Sequence, residues 1–254
     1  VPNGRFCEGD RVVLLGGLTG ISAQGMLAEY AAVPEAWLAP APAGWSTAEA
    51  AAGPLVLLTA WRALAICGRV QPGETVLVTG ASGGVGTAAI LLAKALEAKV
   101  VALSRSPEKR ARLAEMGADI TIDAGAGDLG KQVKAALDGG RVGLVVENLG
   151  GPWLKQAVQW TGPGGRIMVV GLLAGLDAGV PVGLLIHKCL TIEGLSVSAY
   201  APEEARAAWE RIAELLHAHG QRPPVDRVFA MEAVQEGFAH MTAGPLGKVV
   251  IDIS

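Results

Sequence analysis

Short apolar runs alternate with helical stretches along most of this chain. Thr75-Val-Leu-Val-Thr79 and Lys99-Val-Val-Ala-Leu103 are near-continuous and rich in β-branched residues, the pattern of parallel strands buried on both faces. Between them Thr87–Leu96 contains only good or tolerable helix formers, with small residues at its start. Further strands are predicted at Ile120–Ile122, Leu144–Glu147, Gly165–Val170 and Thr191–Leu195, with helices between them. Ser106-Pro107 is an N-cap followed by proline at the first helical position, opening a helix that runs to Met116 and stops at Gly117. Upstream, Arg11–Leu15 and Ala28–Val33 read as strands, Ser46-Thr-Ala-Glu49 as a capping box, and Leu55–Ala65 as a helix. Downstream come an amphipathic helix from Pro202 to His219, a short strand at Val228-Phe229, a helix from Met231 to Thr242 and a last strand at Lys248–Ile253. Alternation of this kind predicts an α/β chain with a doubly wound parallel sheet and helices on both faces.

The turn between the first two of these central strands carries candidate chemistry. Ala81-Ser-Gly-Gly-Val-Gly86 is the AxGxxG variant of the dinucleotide fingerprint, and it stands where a strand, turn, helix, strand order requires it. Gly83, Gly84 and Gly86 let the backbone turn tightly and approach a pyrophosphate, which meets free N–H groups at the helix N-terminus. The end of the second strand then sets the cofactor. NAD sites place Asp or Glu there for the ribose 2′-OH, whereas this chain has Ser104 and Arg105, with Lys109 one helical turn further on. An arginine fork suits a 2′-phosphate, so the expected cofactor is NADP(H).

Composition narrows the classes. A chain of 254 residues, 51% hydrophobic, can bury a full core in one large domain or two modest ones. A net charge of −3 gives no basic surface for nucleic acid, and no apolar run is long enough to span a bilayer. No charged-then-apolar leader pattern opens the chain, so the cytoplasm is expected. Cys7, Cys67 and Cys189 are odd in number and far apart, which predicts buried thiols rather than a disulfide framework or a zinc lobe. His217 and His219 stand near a helix C-terminus, and no His-x-x-x-His pair exists, so no metal site is predicted.

Gly9-Asp10-Arg-Val-Val, Ala28-Glu-Tyr-Ala-Ala-Val-Pro34, Leu58-Thr-Ala-Trp61, Val70-Gln-Pro-Gly-Glu-Thr-Val, Gly83-Gly-Val-Gly86, Met116-Gly-Ala-Asp119 and Gly247-Lys-Val-Val resemble the medium-chain dehydrogenase/reductase superfamily, in its quinone oxidoreductase-like branch. Glu147-Asn-Leu-Gly-Gly151 is similar to the matching loop of NADP-dependent alkenal reductases. The resemblance covers nearly the whole chain. It implies a Rossmann cofactor domain over residues 51–200, with 1–50 and 201–254 forming part of a GroES-like, β-rich substrate domain. It also implies that a further stretch precedes Val1, since members carry one before the Gly-Asp-Arg-Val-Val motif. Zinc-dependent members place a ligand where this chain has Pro54-Leu-Val-Leu-Leu58, and Gly16–Gly25 lacks a cysteine cluster, so a zinc-free member is implied.

Such a member transfers hydride directly from nicotinamide to an electron-poor carbon of a small molecule such as a quinone or enone. By the resemblance Gly83, Gly84 and Val85 face the pyrophosphate and nicotinamide, and Ser82 belongs to the same turn. Asn148, Gly171 and Leu172 line the strand ends near the ring, with Thr59 close by. No catalytic acid is named, and Tyr30 is expected to be a structural residue of the barrel. The last strand of the cofactor domain usually pairs across a two-fold axis in this superfamily. Thr191–Leu195 would otherwise be an exposed apolar edge, so a homodimer is expected. Three other readings compete with this one. A short-chain dehydrogenase would need a Tyr-x-x-x-Lys pair, but Tyr30 and Tyr200 are followed four residues on by Pro34 and Glu204. A zinc alcohol dehydrogenase with its ligands in the preceding part, and a non-catalytic NADPH-binding protein, stay open.

Overall fold

The computed structural model describes residues 4–17, 19, 20 and 22–253. Its elements in chain order are β1 (Val12–Leu14), β2 (Leu38–Pro40), α1 (Thr47–Ala52), α2 (Pro54–Trp61), β3 (Thr75–Val78), α3 (Gly84–Ala95), β4 (Lys99–Ser104), α4 (Pro107–Glu115), β5 (Ile120–Asp123) and α5 (Leu129–Ala136). There follow β6 (Val142–Glu147), α6 (Pro152–Trp160), β7 (Thr161–Val169), α7 (Val182–His187), β8 (Thr191–Gly194), α8 (Pro202–Ala218), β9 (Val225–Ala230), α9 (Val234–Thr242) and β10 (Lys248–Asp252). Two compact units result: Thr59–Ser196, and the described residues up to Leu58 together with those from Val197 onward.

The Thr59–Ser196 unit is the doubly wound sheet that the alternating pattern predicts. Six strands run in the order β5-β4-β3-β6-β7-β8, and every neighbouring pair is parallel. Val76, Leu77 and Val78 are wholly buried because their strand is flanked by others and covered on both faces, as its unbroken apolar run required. Around Leu77, Val101, Leu103, Val145 and Ile167 a core gathers side chains from α5 and α6. Each such side chain contributes about 1.5–3 kcal/mol on burial. Chain order reverses between β3 and β6, so the loops leaving those two strands diverge and open a crevice at their C-terminal ends. Helix α4 begins as its sequence dictates. The Ser106 side chain accepts from the Lys109 N–H at 3.2 Å, and Pro107 occupies the first turn.

The other unit pairs β1 antiparallel with β2 and β9 parallel with β10. Helix α1 opens on the predicted capping box: Glu49 N–H donates to Ser46 Oγ at 3.1 Å, and Ser46 N–H to Glu49 Oε2 at 2.7 Å. One face of α8 buries Trp209, which meets Trp45 edge-on at 5.9 Å between ring centroids. Tyr200 is buried and its hydroxyl donates to the Leu58 carbonyl at 3.1 Å.

Several expectations are corrected. Ala28–Val33 is not a strand: the segment is irregular and mostly exposed, and no described strand pairs with it. Alternation alone cannot make a strand where no neighbour supplies the ladder. Leu38–Pro40 takes the place beside β1 instead. Tyr30 therefore belongs to no barrel wall and is 88% exposed. The cysteines are not buried thiols either. Cys7 and Cys189 are exposed and Cys67 is half-buried, because two of the three fall in surface turns. The helix read at Leu55–Ala65 is α only from Pro54 to Trp61 and widens into a π-helix over Arg62–Cys67. A 3₁₀ turn, Met231–Ala233, replaces the start of the helix read from Met231. No helix among the described residues is long and apolar enough to cross a membrane.

Candidate functional site

The glycine-rich turn leaves β3 and enters α3 without a side-chain cap, since the N-cap residue is Gly83. The first-turn N–H groups of α3 therefore point at the end of the sheet with no side chain of their own to accept them. A Cβ on exposed Gly83 would meet only the Gly80 carbonyl, at 3.4 Å, so the space before the helix is open. Gly86 is the reverse case. A Cβ there would stand 2.4 Å from the Gly80 carbonyl oxygen, so only glycine lets α3 sit this close to the turn. Ser82, Gly84 and Val85 are half-buried around the same opening.

On the neighbouring strand, β4 ends at buried Ser104 and delivers Arg105 to the surface. No carboxylate follows the strand as the next residue. The strand end is braced by Arg110, whose Nη1 donates to the carbonyls of Ser104 (2.9 Å) and Arg105 (3.0 Å) and pairs with Asp123 at 3.3 Å. Lys109 lies half-buried in the first turn of α4. Ser106 Oγ also donates to Glu108 at 2.6 Å, and this hydrogen bond, foremost, holds the Glu108 carboxyl below its ordinary pKa.

On the other side of β3, the β6 loop is tied to the glycine turn. Asn148 N–H donates to Thr79 Oγ1 at 2.9 Å, and its side-chain Nδ2 donates to the Thr79 carbonyl at 2.8 Å. The Asn148 Oδ1 is buried without a hydrogen-bond partner. Gly171, just past β7, packs so closely that a Cβ would be 2.0 Å from the Asn148 carbonyl oxygen. Leu172 follows it, exposed.

Ser82–Val85, Arg105, Asn148 and Gly171–Leu172 thus follow four adjacent parallel strands, with Ser104 the last residue of β4, and lie along one edge of the sheet. Thr59 is placed differently: it is a buried residue of α2, not a strand-end residue. Sequence reading passed over Thr79, Glu147 as a side chain, and Arg110. A carboxylate closing an apolar strand and followed by Asn-Leu-Gly-Gly was the available signal for Glu147. At Cys67 burial first, and then a hydrogen bond from the thiol to the Glu193 carboxylate, push the thiol pKa up, away from the thiolate.

Residues 84–214, from the start of α3 into α8, match the zinc-binding dehydrogenase family. Over 251 residues the chain is 34% identical to quinone oxidoreductase-like protein 2 of Bos taurus, an alignment that spans 97% of this chain and 70% of that protein. The chain belongs to the medium-chain dehydrogenase/reductase superfamily, in its quinone oxidoreductase-like branch. It is an oxidoreductase by that membership. Solved structures agree with the medium-chain architecture. Escherichia coli quinone oxidoreductase, crystallised with NADPH, superposes with a TM-score of 0.87 at 25% identity, covering 98% of this chain and 77% of that one. An NAD-dependent alcohol dehydrogenase gives 0.89 at 30% identity, covering 98% and 78%. The family description names zinc. Among the described residues no three His, Cys, Asp or Glu side chains gather into a metal-holding group.

Proposed function

We propose that this medium-chain oxidoreductase uses NADP(H) and reduces the electron-poor carbon of a small quinone or enone, with no zinc supplied by this chain. The observation that carries the cofactor choice is exposed Arg105 at the end of β4, where a carboxylate would repel a 2′-phosphate. Ser82, Gly83, Gly84 and Val85 would hold the pyrophosphate against the N-terminus of α3. Ser104, Arg105 and Lys109 would hold the 2′-phosphate. Asn148, Gly171, Leu172 and Thr59 would shape the nicotinamide end. When bound, the cofactor supplies hydride. The chain's own part is to orient it and keep the crevice closed to competing chemistry.

Residues 51–200 are the proposed cofactor domain, flanked by 1–50 and 201–254 of a GroES-like substrate domain, and the cytoplasm is the proposed compartment. A homodimer through Thr191–Leu195 is part of the same reading. Strand β8 is one of the two edge strands of the sheet, and Leu172, Leu173, Leu176, Val182 and Ile186, on the segment leading to it, are exposed. The test is a fluorescence titration with NADPH and NADH, followed by turnover on a quinone and enone panel before and after dialysis against a chelator. Expected are NADPH binding at least about tenfold tighter than NADH and turnover unaffected by the chelator. Equal affinities would remove the NADP assignment. Binding without turnover would leave a dinucleotide-binding protein, and turnover lost to the chelator would restore a zinc dehydrogenase.

A further inference from the structure

Glu147 ends β6 with no exposed surface. Its carboxylate is held by neutral donors: the Thr79 hydroxyl at 2.9 Å, Leu149 N–H at 3.0 Å and Gly150 N–H at 2.7 Å. Burying a carboxylate on such partners is costly, and an apolar side chain would fill a strand end with less penalty. What the carboxylate gains is geometric. Two of its donors are backbone groups of the β6 loop, and the third is the residue that leads β3 into the glycine turn. Thr79 is also wholly buried, and its hydroxyl oxygen accepts from Asn148 N–H while its carbonyl accepts from the Asn148 amide. Thr79 N–H in turn donates to the Val146 carbonyl at 3.1 Å. The two loops that bound the crevice at the β3/β6 reversal are thus fastened to one another through the side chains of Thr79, Glu147 and Asn148.

We propose that Thr79 and Glu147 are positioning residues for dinucleotide binding: they set the spacing between the glycine turn and the β6 loop, and so the width of the crevice a dinucleotide enters. The proposal rests on the dinucleotide reading above. Asn148 becomes part of the same clamp, its amide nitrogen committed to Thr79 rather than to a ligand.

The test uses Thr79→Val, which keeps shape but removes both hydroxyl hydrogen bonds, Thr79→Ser, which restores them, and Glu147→Gln, which presents an NH2 to one of the donors. Dissociation constants for NADPH and NADH are read by fluorescence titration, together with KM, kcat and Tm. Thr79→Val should raise both dissociation constants at least about fivefold, in the same proportion for each dinucleotide because the clamp is remote from the 2′-phosphate end. KM for the dinucleotide should rise with kcat within about twofold, and Thr79→Ser should return to within about twofold of the unmodified chain. A purely structural role would lower Tm and leave the dissociation constants in place. Affinities unchanged in Thr79→Val, or Thr79→Ser behaving like Thr79→Val, overturn the proposal alone. Failure of the unmodified chain to bind either dinucleotide overturns the cofactor reading and this proposal with it. Should Glu147→Gln not fold, the Thr79 pair carries the test.

Discussion

Arg105 and Arg110 stand five positions apart and do different work. Arg110 is spent inside the protein, bridging two carbonyls at the end of β4 and the Asp123 carboxylate, whereas Arg105 turns outward and makes no ion pair among the described residues. A charge-assisted hydrogen bond contributes about 1.5–3 kcal/mol, and about 1.4 kcal/mol is a tenfold change in affinity. Arg105→Ala should therefore remove most of any NADPH preference, leave NADH binding nearly unchanged and barely move stability. Titration of the variant with both dinucleotides checks this, and the preference of the unmodified chain should weaken as salt is added, since the arginine is solvated. A variant that loses NADH affinity to the same degree would show that Arg105 shapes the strand end rather than reading the phosphate.

Among elements, the β3 turn and α3 separate a glycine that close packing requires from one with open space beside it. Position 86 has the Gly80 carbonyl, a backbone atom with little room to move, in the path of a Cβ at 2.4 Å, while position 83 has only a 3.4 Å contact with the same atom. Gly86→Ala should push α3 from the sheet and cost about 1–3 kcal/mol, the usual penalty for overpacking. Gly83→Ala should leave stability almost intact and weaken dinucleotide binding instead. Urea melts read the first and fluorescence titration the second. Stability changes in the opposite order would mean that the open space before α3 is not where the ligand sits. The helix boundaries themselves were legible because caps are local: Ser46 and Ser106 bond residues three positions on, within reach of any sequence reading. The π-helix at Arg62–Cys67 was not legible, because its apolar composition suits an α-helix equally well.

For the whole molecule, the edge of the sheet at β8 bears on assembly. A parallel sheet with an uncovered edge strand exposes unpaired backbone groups, and the apolar side chains of Leu173, Leu176 and Ile186 nearby are exposed as well. Sedimentation at micromolar concentration should give twice the mass of the chain. A monomer would count against pairing through β8.

The buried parallel strands and the glycine turn into α3 were readable because they depend on short-range facts: unbroken apolar runs for the strands and glycines where the chain turns into the helix. Chain connectivity then forces the fingerprint turn, Arg105, Asn148 and Gly171 onto one edge. Side-chain partnerships across long separations were not readable. Thr79 and Glu147 are 68 positions apart, and Arg166 Nη2 reaches both oxygens of Glu74, at 2.8 and 2.7 Å, across 92. No local pattern marks such pairs, since nothing near either residue in the sequence names its partner. Ala28–Val33 fails in the opposite sense. Its residues suit a strand, but strand formation is a property of two segments, and only the tertiary structure decides which segment lies beside β1.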